Sequence, residues 1–233
     1  MNKSKCFPLV TFGFILGGMV NTQLALADHP DLGAQWWQFM SSIPAAENPL
    51  SDTTGEKCAV GQRGDMWFLG GVFAISGTVT RECTIPKGKR LFVPVLNVVG
   101  FNTPGICGQG PDNLSVDDLV SANTPLIDAI GPSDMAVTLN GHRMHRITRI
   151  KSSPFEISLP ESSIWDKLCM DYDLGHVPAG VYSPGYQDGY YVTLDNLRTG
   201  THTLQIQATL ATYDPPFVLD VTYHLKIVPV SLK

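Results

Sequence analysis

Between Phe217 and Ile227 the chain sorts its residues by parity. Phe217, Leu219, Val221, Tyr223, Leu225 and Ile227 fall on one face of an extended segment, with Asp220, Thr222, His224 and Lys226 on the other. A helix would scatter these residues around its circumference, so the pattern demands a strand with one dry and one wet face. A strand of this kind needs hydrogen-bonding neighbours and a second layer over its apolar side. The chain is therefore committed to a sheet-based fold.

Other segments supply the neighbours. Tyr190-Tyr-Val-Thr-Leu and His202-Thr-Leu-Gln-Ile-Gln-Ala read as strands, and so does Met135-Ala-Val-Thr-Leu. Asn140-Gly141 after the last of these is a strong hairpin turn. Phe155, Ile157 and Leu159 alternate as well. Met66 to Phe73 and Arg90 to Val99 are nearly continuously apolar, as expected of strands covered on both faces. Pro86-Lys-Gly-Lys is the turn between strands, and Pro94, which has no N–H to give, predicts an interruption or bulge.

Helical signals are few. Leu32, Trp36, Phe39 and Met40 recur at helical spacing. Ser115 ahead of Asp117 and Asp118 is a capped helix start. Thr124-Pro125 is a second start, giving two short helices or one kinked helix that ends before Gly131. Trp165 to Asp188, rich in Gly, Pro and Tyr, reads as a long excursion anchored at Cys169. The expected class is all-β: a disulfide-stapled β-sandwich, immunoglobulin-like or jelly-roll-like, with a few short helices.

The first residues have a separate purpose. Lys3 and Lys5 precede an apolar run from Phe7 to Val20, and Ala25-Leu26-Ala27 supplies a small-x-small cleavage pattern. Residues 1–27 thus read as a signal peptide, residues 28–57 as a helix and loop packed on the domain, and residues 58–233 as the sandwich. The expected location is periplasmic or secreted, with no transmembrane segment once the leader is removed. Cys58, Cys83, Cys107 and Cys169 remain after cleavage. An even number in an exported chain reads as two disulfides. Of three connectivities, sequence order favours Cys58–Cys83, bracketing one compact hairpin, with Cys107–Cys169. No two of them have the close spacing of a zinc site, and no metal or cofactor is expected. The net charge of −5 argues against nucleic-acid binding, which wants a basic surface.

Several phrases together resemble a family of small exported bacterial proteins of unknown function. They include Trp36-Trp37, Asn48-Pro49 with Thr54-Gly55, Cys58-Ala-Val-Gly-Gln, Trp67-Phe-Leu, and Arg81-Glu-Cys-Thr-Ile-Pro-Lys-Gly-Lys-Arg-Leu-Phe-Val-Pro-Val. Asp188-Gly-Tyr-Tyr, Gly200-Thr-His-Thr-Leu and Val221-Thr-Tyr-His-Leu complete the pattern. The resemblance implies no activity and carries no catalytic residues.

Candidate chemistry is sparse. Trp165, Tyr172, Tyr182 and Tyr186, with Asp171 and Asp173, suggest stacking on sugar rings beside hydrogen-bonding carboxylates, or aromatic packing beneath a long loop. Asp171-Tyr-Asp173-Leu-Gly175 has two spaced carboxylates but lacks the other ligands of a calcium loop. Arg143 and Arg149 lie in a cationic run, His142 to Lys151, suited to an anionic partner if it forms one exposed strand. Arg63-Gly64-Asp65, a tripeptide read by adhesion receptors, runs into apolar Met66-Trp67-Phe68 and is expected to open a buried strand. No nucleophile elbow or glycine-rich phosphate loop is present. The expected function is a non-catalytic binding or structural protein whose partner is a glycan or cell-surface polymer. The alternative is a secreted hydrolase acting on cell-wall or host polymers.

Overall fold

In a computed structural model of the chain, residues 31–73, 77–211 and 215–230 are described, and the leader lies outside them. In chain order the first strands are β1 (Met66–Phe68), β2 (Gly77–Pro86), β3 (Arg90–Phe101), β4 (Met135–Leu139) and β5 (His142–Arg143). They are followed by β6 (Thr148–Lys151), β7 (Phe155–Leu159), β8 (Gly180–Leu194), β9 (Gly200–Leu210) and β10 (Phe217–Val228). Among the described residues the α-helices are α1 (Leu32–Ser41), α2 (Val116–Asp128) and α3 (Ile164–Asp171).

The strands form two sheets and a disulfide-stapled β-sandwich. The first sheet has the order β1-β3-β8-β6, with β7 pairing β8 beside β6; the second runs β2-β10-β9-β4-β5. Pairing is antiparallel except for β1 on β3 and β2 on β10. The alternating segment from Phe217 to Ile227 is β10, between β2 and β9, with Leu219, Val221, Tyr223, Leu225 and Ile227 buried. They meet Leu91, Val93, Val95, Val192 and Leu194 of the first sheet in the main core. The opposite face of the first sheet is covered by α1. There Trp36, Trp37 and Met40 cluster with Phe92 and Tyr191, and the Tyr191 ring stacks on Phe92 at 4.7 Å. Burial on both faces is why β3 reads as an unbroken apolar run. Its register shifts between Pro94 and Leu96, the expected bulge.

Both disulfide pairings are as expected: Cys58–Cys83 with Cα atoms 5.8 Å apart, and Cys107–Cys169 at 5.4 Å. The first does not bracket a hairpin, however. Lys87 to Lys89 carry the chain from β2 in the second sheet to β3 in the first, and β1 also belongs to the first. The bond fastens the turns around Cys58 to β2 from inside the core, where both cysteines are buried.

Three other expectations change, and an alternative at the second helix is decided. The strand from Met66 ends at Phe68, because side chains take the next carbonyls: Trp36 Nε1 donates to Leu69 at 2.8 Å, Tyr223 Oη to Gly70 at 2.7 Å, and Arg81 Nη1 to Gly71 at 2.8 Å. Backbone groups so satisfied need no ladder. The excursion from Trp165 to Asp188 is mostly regular. Its first part is α3, capped by Ser163, and β8 begins at Gly180. The glycines that suggested loop mark tight packing: a Cβ at Gly189 would meet Asn97 Cβ at 2.4 Å. The cationic run 142–151 is no single strand, since β5 lies in the second sheet and β6 in the first. Residues 116–128 form one helix through Pro125, started by a reciprocal Ser115–Asp118 capping box.

Candidate functional site

Where the edge of the sandwich meets the helices, a two-lobed groove opens. Its larger lobe, about 440 Å³, lies between β3 (Pro94 to Val99) and Leu210, Phe217 and Leu219 of the second sheet. Trp36 and Trp37 of α1, Trp165 of α3, and Phe73 form an aromatic wall, and Asn123 and Leu126 come from α2. The smaller lobe, about 340 Å³, is bounded by Arg81, Ser51, Thr53, Ile164, Lys167 and Asp171. Leu50, Val72, Phe73 and Tyr172 line both, so the two lobes are neighbours that share a wall. Volumes of this size are typical of small-ligand sites.

The aromatic wall is rigid. The Trp165 ring lies 5.7 Å from Trp37 and 5.0 Å from Phe73, the latter edge-on at 90°. Trp165 Nε1 is fixed by donating to Ser41 Oγ at 2.9 Å. Asn97 is likewise held, donating to Tyr191 Oη at 3.0 Å, which donates to Gln187 Oε1 at 2.6 Å. Burial pushes the Tyr191 phenol above its ordinary value, so it stays a donor. Polar satisfaction fails in a telling place. Among the described residues the buried side-chain donors without a partner are Trp37 Nε1, Trp67 Nε1, Arg81 Nε and Asn123 Nδ2. All but Trp67 belong to residues that line the groove. Buried donors are ordinarily paired, and exceptions mark places to look for function.

Arg81 is 2% exposed. Among the described residues its guanidinium hydrogen bonds all leave through Nη1: to the Gly70 and Gly71 carbonyls at 3.2 and 2.8 Å and to Tyr223 Oη at 2.9 Å. Its guanidinium also sits over the Tyr223 ring, 5.6 Å from the centroid. Burial raises the Tyr223 phenol above its ordinary value, and the Arg81 charge works against that. Among the described residues no carboxylate comes within ion-pair distance of Arg81. Asp52, whose charge is felt at Tyr223, directs its oxygens to the Thr54 N–H and hydroxyl and the Lys57 N–H, each at 2.8 Å.

Of the residues singled out in the sequence, Trp165, Asp171 and Tyr172 meet at the groove. Asp171 forms an ion pair with Lys167 at 2.7 Å. The others lie elsewhere. Asp173 is exposed beyond α3. Tyr182 packs on Phe101 and donates to the Pro178 carbonyl at 2.8 Å. Tyr186 is buried, with its hydroxyl 3.2 Å from Thr124 Oγ1. Arg149 is locked by Asp188 and Asp128, both at 2.7 Å, while Arg143 stands exposed on the β4–β5 hairpin. Arg63, Gly64 and Asp65 are exposed on the bend before β1, so this tripeptide is displayed rather than buried. No group of three or more His, Cys, Asp or Glu side chains converges to hold a metal among the described residues. No described helix is long and apolar enough to cross a membrane.

Sequence reasoning missed Trp36, Trp37, Phe73, Asn97, Asn123 and Arg81 as lining residues. A signal existed for Arg81: it shares strand parity with Cys83 and Ile85, both buried, which turns a cation inward. None existed for Asn97 and Asn123, which are brought together only by the packing of α2 on β3. No family model, curated protein or solved structure matches the chain, so its function has to be read from the groove itself.

Proposed function

We propose that this is an exported, non-catalytic binding protein that takes the apolar portion of a small ligand into the groove. The observation that carries the reading is the larger lobe: about 440 Å³, walled by tryptophans and aliphatic side chains, with unpartnered donors on Trp37 and Asn123. An apolar cavity that stays open forgoes close packing, and a ligand restores it. The two disulfides and the leader-like first 27 residues support a location outside the cytoplasm. Sugar stacking needs open ring faces. Trp37 is 5% exposed and Tyr186 4%, and of Tyr172, Tyr182 and Tyr186 it is Tyr172, at 64%, whose ring is freely offered. The geometry thus favours an aliphatic or amphiphilic ligand over a bare glycan.

The test is a titration of the mature protein with 1-decanol, read by tryptophan fluorescence, beside a panel of soluble oligosaccharides. Decanol should shift the emission saturably, and Leu126→Trp, which fills the lobe from α2, should weaken it at least tenfold. Oligosaccharide binding without decanol binding would replace this reading with the glycan one. Turnover of a panel substrate would replace it with hydrolysis.

A further inference from the structure

The smaller lobe carries its own chemistry, and the role assigned to it rests on the groove being a ligand site. A guanidinium has five N–H donors in a planar fork, and its Nε–Nη2 edge presents two of them in parallel, the geometry that grips a carboxylate with two bonds. In Arg81 the hydrogen bonds to the fold all leave through Nη1 among the described residues, so this edge is the one left over. Nε on that edge is a buried donor with no partner. Arg81 lines the smaller lobe, and Lys167 stands at its rim. The lobe lies next to the apolar one, with Leu50, Val72, Phe73 and Tyr172 lining both, close enough for one ligand to reach across them.

We infer that the groove takes an amphiphilic anion: a carboxylate head bound by the Nε–Nη2 edge of Arg81, and an apolar body lying along the tryptophan wall. The carbonyls of Gly70 and Gly71 and the hydroxyl of Tyr223 hold the guanidinium in place, so it is set before the ligand arrives. They are dipoles rather than charges and leave the cation's formal charge uncancelled. A buried cation without an anion is costly, and a carboxylate supplies the missing partner. At the rim Lys167 and Asp171 offset each other in an exposed and weak pair, so Arg81 carries the excess positive charge of the lobe.

A purely structural arginine, bracing the Leu69–Gly71 segment, would show no preference between a charged and a neutral head. The experiment compares decanoate with 1-decanol on the mature protein at pH 7.5, by calorimetry or tryptophan fluorescence. Decanoate should bind at least about tenfold more tightly, the factor equivalent to roughly 1.4 kcal/mol. Arg81→Met should abolish the preference, bringing decanoate to the affinity of decanol measured on the same variant. Arg81→Lys should retain part of the preference, because it keeps the charge but loses the fork. Should Arg81→Met fail to fold, the wild-type comparison still decides. Equal affinities for the two probes overturn the anion subsite and leave the apolar groove standing. If neither probe binds, the groove reading falls and the subsite with it.

Discussion

Two buried carboxylates show how single side chains hold this fold. Asp188 is fully buried and meets Arg149 through both oxygens, at 2.9 and 2.7 Å, while Asp128 meets the same guanidinium from the surface. The hydrogen bonds that Arg149 donates to Asp188 hold it charged more firmly than usual, against its partial desolvation. Removing the arginine strands a buried negative charge, with Lys151 at 4.0 Å as its remaining cation among the described residues. Arg149→Leu should therefore destabilise by about 3–5 kcal/mol in urea denaturation, whereas Asp128→Asn, at the exposed end, should cost about 1 kcal/mol or less. Asp52 acts through pH. Burial pushes its carboxyl up, but the N–H groups of Lys57 and Thr54 and the Thr54 hydroxyl outweigh this and hold it below its usual 3.8. A lowered folded value means that the stabilisation is complete above the unfolded value and is lost as pH falls through the folded one. Asp52→Asn should cost about 2 kcal/mol at pH 7, and the gap to wild type should shrink below pH 3.8, as denaturation at pH 7 and pH 3 will show.

At the scale of elements the disulfides are the decisive ties. Cys58–Cys83 closes a 25-residue separation and Cys107–Cys169 one of 62. Loop entropy gives about 3.5 and 4.3 kcal/mol respectively before any strain. Replacing Cys58 and Cys83 with serine together should lower the urea midpoint by an amount equivalent to roughly 3 kcal/mol. Sequence order favoured both pairings, although the hairpin behind that choice is absent; β9, β10, the β4–β5 turn, the first helix and the Pro94 bulge were legible outright. Each is written in a run of contiguous residues. Which sheet a strand joins is not so written. Pro86 to Lys89 reads as a turn between strands, but the residues that bend a chain within a sheet also bend it between sheets, as they do here. Strand β8 was half hidden for a related reason. Its Gly185 and Gly189 are small where β7 and β3 press close, and small residues in sequence look like loop. The groove was legible only at Trp165, Asp171 and Tyr172, since its other walls come from separate elements.

For the whole molecule, the groove is a place where covering both faces of the first sheet leaves space. The sandwich core, α1 and α2 all contribute to its lining, and a ligand bound there would tie all three together. Occupancy should stabilise the native state by about 2.7 kcal/mol at a hundredfold excess over Kd. For a chain of this size that raises Tm by roughly 5–10 °C in a thermal scan with decanoate, and Leu126→Trp should abolish the shift. The position of β10 sets a further condition, this time on how the molecule comes into being. Its two ladder partners, β2 and β9, are both made earlier, and β2 precedes it by well over a hundred residues. At ribosomal speeds of about 5–20 residues per second, β2 waits on the order of ten seconds for the neighbour that completes its ladder. The nascent chain is thus kept from closing its second sheet early, and its apolar strands are open to chaperones until synthesis is nearly done.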